Sequence, residues 1–285
     1  MENPNRLKNF TPLAIAPSEK FLADASKQFS RILFALFLVS FVVVWLKTSS
    51  LVPALEKSNW PEAALVLAAL ATSFAAVARQ LPTQNVLLAA VIIAVVAGTA
   101  QAIGALSGVP FGPYIYTDAA GPKMFRVLPW SVPVLWIIVL FNARGVARLI
   151  LRPWRKSRLY GFRLIAITAA LALIFDFGLE PFASRVAGCW LWEPTKLGFL
   201  WQNTPPSNFL GWLVTALIIL AFATPTLINK SHQKFPPDYQ PLLVWLLLAL
   251  LFLTGMWQHR LWVAAGLIAV TSLLTAILAV RGARW

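Results

Sequence analysis

Long apolar runs separated by short stretches rich in charge, Pro and Gly dominate the chain. About twenty apolar residues are needed to carry an α-helix across the hydrocarbon of a bilayer. Eight runs approach that length: Arg31 to Lys47, Trp60 to Ala78, Gln84 to Leu106, Val127 to Ile150, Leu164 to Leu179, Phe209 to Ile228, Leu242 to Trp257 and Leu261 to Val280. The last two form a hairpin through Gln258, His259 and Arg260. The pattern predicts an all-α, polytopic transmembrane bundle. The first, fifth and seventh runs are short for a full crossing, which leaves a seven-span count open, although Arg31 and Lys47 can snorkel to the headgroups. Residues 1–30 are polar and carry Arg6, Lys8, Lys20 and Lys27. Their apolar run begins too late for a secretory signal. They read as a cytoplasmic tail ahead of one transmembrane helical domain, 31–285, in which no internal repeat is evident.

Composition sharpens this picture. Of the 285 residues 59% are hydrophobic and 12% charged, and the formal net charge is +14. A soluble core cannot absorb that much apolar sequence. With eight spans, most of the Lys and Arg falls on the side that holds both termini, so the positive-inside rule puts both termini in the cytoplasm. The largest share comes from Arg144, Arg148, Arg152, Arg155, Lys156, Arg158 and Arg163, between the fourth and fifth runs. This loop reads as an anchor on anionic lipid headgroups rather than a nucleic-acid surface. One cysteine, Cys189, excludes an internal disulfide and a thiolate metal cage. Two histidines, His232 and His259, cannot supply the clusters that a membrane di-iron oxygenase needs.

The candidate chemistry lies in two connections expected together on the non-cytoplasmic face. One runs from Gly108 to Lys123; the other contains Asp176 to Pro181, Trp190 to Pro194 and Pro205 to Trp212. They hold four of the ten carboxylates, Asp118, Asp176, Glu180 and Glu193. Asp176 ends an apolar run, where an ionisable group is a functional candidate by default. Glu180 follows at i+4, on the same helix face if the helix persists that far. Two close carboxyls resist ionising together, which suits one to give a proton and the other to take it. The plainer alternative has both facing interfacial water, paired with Arg185 or Lys123, and Pro181 works against helix at Glu180. Tyr114, Tyr116, Trp190, Trp192, Trp201 and Trp212 surround these acids, either as an interfacial belt or as a pocket whose ring faces stabilise a cation. Ser207 and Asn208 precede a helix and are expected to cap it. Gly104, Gly108 and Gly112 have the spacing of a close helix contact, interrupted by Pro110. Cys189 reads as a small filler.

At these segments the chain resembles the membrane-integral carotenoid biosynthesis protein family, which includes the CruF-type carotenoid 1,2-hydratases. The matching residues are Pro110 to Asp118, Gly121 to Lys123, Val132 to Trp136, Ala143-Arg144, Asp176 with Glu180-Pro181, Trp190 to Trp192 and Pro205 to Trp212. The resemblance implies addition of water across the terminal C1–C2 double bond of an acyclic carotenoid end, as in lycopene or γ-carotene. Such a reaction needs no redox cofactor and no metal, and the chain has no Gly-rich dinucleotide fingerprint. An acid protonates C2 and a base directs water onto the tertiary cation at C1. On this reading Asp176 and Glu180 are the acid and base, in either order, with Asp118 the third candidate. Tyr114, Tyr116, Trp190, Trp192 and Trp212 shape the substrate pocket, and Asn208 orients water or a carboxylate. The expected partners are an apolar carotenoid and membrane lipid, and the expected location is a bacterial inner membrane; association with other carotenoid enzymes is left open. Two alternatives remain: another polyisoprenoid step such as cyclisation, which uses the same acids, and a non-enzymatic pigment or lipid carrier or scaffold. Prenyl transfer is disfavoured by the lack of Asp-rich magnesium-diphosphate motifs.

Overall fold

The structure, a computed structural model, describes residues 17–56, 58, 60–194, 199–228 and 236–285. Arg6, Lys8 and His232 lie outside the described residues. Among the described residues, eight helices are long and apolar enough to cross a membrane. They are α1 (Pro17–Thr48), α3 (Trp60–Ala78), α4 (Thr83–Ser107), α5 (Ser131–Ile150), α6 (Tyr160–Pro181), α7 (Pro206–Ala223), α8 (Gln240–Gln258) and α9 (Trp262–Ala283), with a single turn, α2 (Pro53–Glu56), after α1. The three short runs gain length from their polar flanks: the membrane-length segments are Lys27–Thr48, Tyr160–Val186 and Gln240–Gln258.

α5 sits at the centre and packs against α3, α4, α6, α8 and α9. Its side chains are buried along most of its length, including Trp136, Phe141 and Asn142. The peripheral helices point large apolar groups outward, among them Leu36 and Val39 of α1, Leu87 and Leu88 of α4, and Leu273 and Leu274 of α9. In water such a surface would aggregate; against lipid tails it carries no penalty. Small residues let the helices close up, as at Gly178 of α6, where an added Cβ would lie 2.6 Å from the Ile268 side chain of α9.

Two short antiparallel ribbons lie outside the helices. β1 (Tyr114–Tyr116) pairs with β4 (Trp190–Trp192), and β2 (Lys123–Met124) pairs with β3 (Leu128–Pro129). The glycine spacing does not make a helix contact. Gly108 ends α4 in the left-handed region, at φ 74°, with its N–H on the Gly104 carbonyl, and Gly112 is a loop residue at φ 105°. Gly104 and Gly112 each serve close approach to other groups: a Cβ at Gly104 would stand 2.6 Å from the Phe111 ring, and one at Gly112 2.7 Å from the Pro205 ring.

Candidate functional site

Phe111 is the bolt of the site. It is fully buried and wedged between Gly104 of α4 and Gly211 of α7, where added Cβ atoms would stand 2.6 and 2.7 Å from its ring. Ser207 Oγ donates to the Phe111 carbonyl at 3.0 Å. The loop after α4 is therefore pinned to the start of α7, and β1 follows three residues later. Strand alternation turns Tyr114 and Tyr116 inward and Ile115 outward, and the partner strand turns Trp190 inward and Leu191 outward. The register sets Tyr114 opposite Trp192 and Tyr116 opposite Trp190, with ring centroids 5.2 and 6.1 Å apart. Four aromatics thus form one wall.

That wall meets Glu180. Trp190 Nε1 and Trp192 Nε1 both donate to Glu180 Oε2, at 3.0 and 3.1 Å. α6 continues through Pro181, against the expectation that proline would break helical geometry at Glu180. The proline N–H is missing from the ladder, which would strand the Phe177 carbonyl. Trp201 Nε1 donates to that oxygen at 3.2 Å. One turn deeper in α6, Asp176 Oδ2 accepts from Asn208 Nδ2 at 2.9 Å. Asp176 Oδ1 is buried with no protein partner. Asn208 therefore binds a carboxylate, and neither it nor Ser207 caps α7 with its side chain.

Asp176 and Glu180 do not face water, being 0% and 2% exposed. The cations expected to neutralise them are engaged elsewhere: Lys123 Nζ donates to the Tyr116 carbonyl at 2.7 Å, and Arg185 reaches Gln202 at 3.5 Å. All three donors named on the two acids, Trp190, Trp192 and Asn208, are thus without formal charge, an unusual state for buried carboxyls and one that marks functional sites.

Gln101, in the C-terminal third of α4, holds the tyrosines. Its Oε1 accepts from Tyr114 Oη at 2.9 Å and from Tyr116 Oη at 3.0 Å. Burial pushes the Tyr114 phenol up to about 12, further raised by the Glu180 charge and opposed by the Tyr116 hydrogen bond. Burial likewise holds Tyr116 well above its usual value. Both phenols stay neutral at physiological pH and act as hydrogen-bonding groups, not bases. Below them Trp136 of α5 stacks on Trp212 of α7, with centroids 4.0 Å apart and an interplanar angle of 17°.

Two cavities meet here. A small one of about 20 Å³ is lined by Gln101, Tyr114, Tyr116, Trp136, Glu180 and Asn208, among others. A large one of about 1110 Å³ runs beside it, walled by apolar groups such as Phe175, Leu179 and Phe252, with Lys47, Glu62 and His259 at its polar part. Val132, Leu135 and Trp190 line both. Of the expected site residues, Tyr114, Tyr116, Glu180, Trp190, Trp192, Asn208 and Trp212 come together at the small cavity. Asp176 stands behind them through Asn208. Asp118 is exposed in a one-turn helix and lines the large cavity instead. Gln101 and Trp136 were not foreseen as site residues. Gln101 was findable, as a long polar side chain inside an apolar run.

The sequence model of a family described as "Carotenoid biosynthesis protein" matches residues 61–277. The chain belongs to the carotenoid biosynthesis protein family. That match takes in both acids, the aromatic wall and seven of the eight membrane-length helices. Among curated proteins, a bisanhydrobacterioruberin hydratase from Haloarcula japonica is 28% identical over 119 residues, which are 41% of this chain and 38% of that protein. No solved structure matches the chain. As a carotenoid biosynthesis protein with eight membrane-length apolar helices among the described residues, the molecule is an integral membrane protein.

Proposed function

We propose that the protein is a hydratase that adds water to the terminal C1–C2 double bond of an acyclic carotenoid end of the lycopene or γ-carotene type. The observation that carries this reading is the buried Asp176 and Glu180 pair, set against an aromatic wall and beside an apolar cavity of about 1110 Å³. The partial likeness to a protein named as a hydratase points the same way.

Glu180 lines the small cavity, and in this scheme the side chains that border both cavities, Val132, Leu135 and Trp190, give way to bring the end of the alkene from the large cavity to it. The Glu180 proton passes to C2, the π electrons form the new C2–H bond, and a tertiary cation is left at C1. The faces of Trp190, Trp192 and Tyr116 stabilise that cation and withhold bases that would strip a proton from it. A water oxygen then bonds to C1, and the water's proton returns to the Glu180 carboxylate, so one water is consumed and nothing is oxidised. Asp176, fixed by Asn208, is the second member of the pair. With no cation to neutralise both, one proton between the two acids is the arrangement of least electrostatic cost. Asp118 sits on the large cavity and serves substrate entry in this scheme.

The large cavity would hold the polyene, entering sideways from lipid. The basic end of the bundle would face the cytoplasm of a bacterial inner membrane, with Arg152 to Arg163 on anionic headgroups. Expression in hosts making lycopene or γ-carotene, followed by chromatography and mass measurement, tests the function. Hydration adds the mass of one water per reacted end. A product of unchanged mass would indicate cyclisation, and bound pigment without product a carrier; either would overturn the hydratase reading.

A further inference from the structure

Trp136 lines the small cavity, is fully buried, and its indole N–H has no protein partner. A buried donor left unpaired is costly, so such a group marks a place where a ligand completes the bonding. The ring itself is held firmly by its stack on Trp212, so the N–H cannot swing away to find another acceptor.

The cavity's size selects the ligand. One water needs about 10–15 Å³ of such space and two to four polar partners. At about 20 Å³ the cavity has room for one water and none for an isoprenoid end. Its polar lining suits the task. The hydroxyls of Tyr114 and Tyr116 point their protons at Gln101, which leaves their oxygen lone pairs to accept. Glu180 supplies a carboxylate edge on the same wall. Val132, Leu135 and Trp190 border this cavity on one side and the large apolar one on the other.

We propose that the small cavity is the binding site of the nucleophilic water and that Trp136 is its positioning residue, donating its indole N–H to the water oxygen. This rests on the hydratase reading and deepens it. The water donates one proton toward Glu180 and the other to a tyrosine oxygen, while the alkene arrives from the large cavity. When C1 becomes cationic, the waiting water closes the C1–O bond and gives its proton to Glu180. Without a held water, the cation instead loses a proton from a carbon next to C1 and returns to an alkene.

The test uses the full-length protein in membranes with lycopene, in D₂O. Wild type should give hydrated product carrying deuterium at C2. Trp136→Phe, which keeps an aromatic ring on Trp212, should lower the ratio of hydrated product to deuterated but unhydrated carotenoid by about tenfold, with deuterium uptake sustained. Replacement of Trp136 by benzothienylalanine, a ring of nearly the same shape that lacks only the N–H, should do the same where the phenylalanine variant folds poorly. An unchanged ratio in the benzothienylalanine protein, or hydration and deuterium uptake falling together, would overturn the water site. Absence of both hydration and deuterium uptake in wild type would overturn the hydratase reading itself, and the water site with it.

Discussion

The two ends of the helix bundle bury polar groups in opposite ways. At the end holding the C-termini of α3 and α5, cations are clasped across helices. Arg79 spans Ser30 of α1 and Asp238 ahead of α8, at 2.8 and 2.6 Å; Arg148 meets Gln80; Arg144 donates to the Leu227 carbonyl; and Gln240 reaches Thr72 Oγ1 at 2.6 Å. At the other end the acids Asp176 and Glu180 are held by an amide and two indoles, and Asp176 Oδ1 and Trp136 Nε1 lack protein partners. A bundle that satisfies its arginines so fully could have satisfied its acids. Bonds that close on themselves tie helices together, whereas bonds left open face a ligand.

The sharpest way to break this contrast is to neutralise one acid at the open end. Glu180→Gln keeps the size of the side chain and an acceptor for the indoles but removes the transferable proton. Hydration should fall by about 10²–10⁴, with amount and thermal stability of the solubilised protein near wild type. Asp176→Asn should cost less, because it acts from behind Glu180, yet still at least about tenfold. Full hydration by either variant would place the chemistry elsewhere.

The matching change at the closed end should do the reverse. Arg79→Ala breaks the Asp238 ion pair, whose side chains are 28% and 19% exposed, and strands a partly buried carboxylate. The loss is about 1–3 kcal/mol, less than for a fully buried pair because water screens part of it. Detergent melting curves should shift down while the ratio of hydrated to starting pigment per folded molecule stays unchanged. A large drop in turnover without a melting shift would mean the two ends are not separable.

The apolar runs made the helices legible: they foresaw the spans to within a few residues, except where flanks such as Tyr160 to Arg163 and Phe182 to Val186 join the helix. The closed end was not legible: Arg144 and Arg148, expected in a loop on anionic headgroups, lie in α5 and bond the Leu227 carbonyl and Gln80 across the bundle. Asp176 and Glu180 stood out because carboxyls at the end of an apolar run are costly. Their environment was not legible. That Trp201 would repair the ladder at Pro181, that Asn208 would reach a carboxylate 32 residues away instead of capping, and that Lys123 would bond a carbonyl are all consequences of long-range packing. Trp136 was hidden for a related reason. Inside an apolar run a tryptophan counts as bulk, and only its neighbours reveal an N–H without a partner.

The aromatic wall gives the smallest effect and the finest test of how closed the acid end is to water. Tyr114 is held neutral by burial, its phenol pushed up to about 12, against about 10 in an unfolded chain. The folded state therefore binds that proton more tightly than the unfolded state. The stability it contributes is complete below pH 10 and is lost as pH rises from 10 toward 12, because only the unfolded chain gains by ionising there. Melting temperature should stay level up to about pH 10 and then decline, and ultraviolet titration of the folded protein should show the tyrosinate of this residue only near the top of that range. Tyr114→Phe should flatten part of the decline and lower hydration only a few-fold, since Gln101 still holds Tyr116 and Glu180 keeps both indoles. Titration of Tyr114 near pH 10 in the folded protein would mean that the ribbon of β1 and β4 admits water freely, and the contrast between an open and a closed end would then lie in solvent access instead of in bonding.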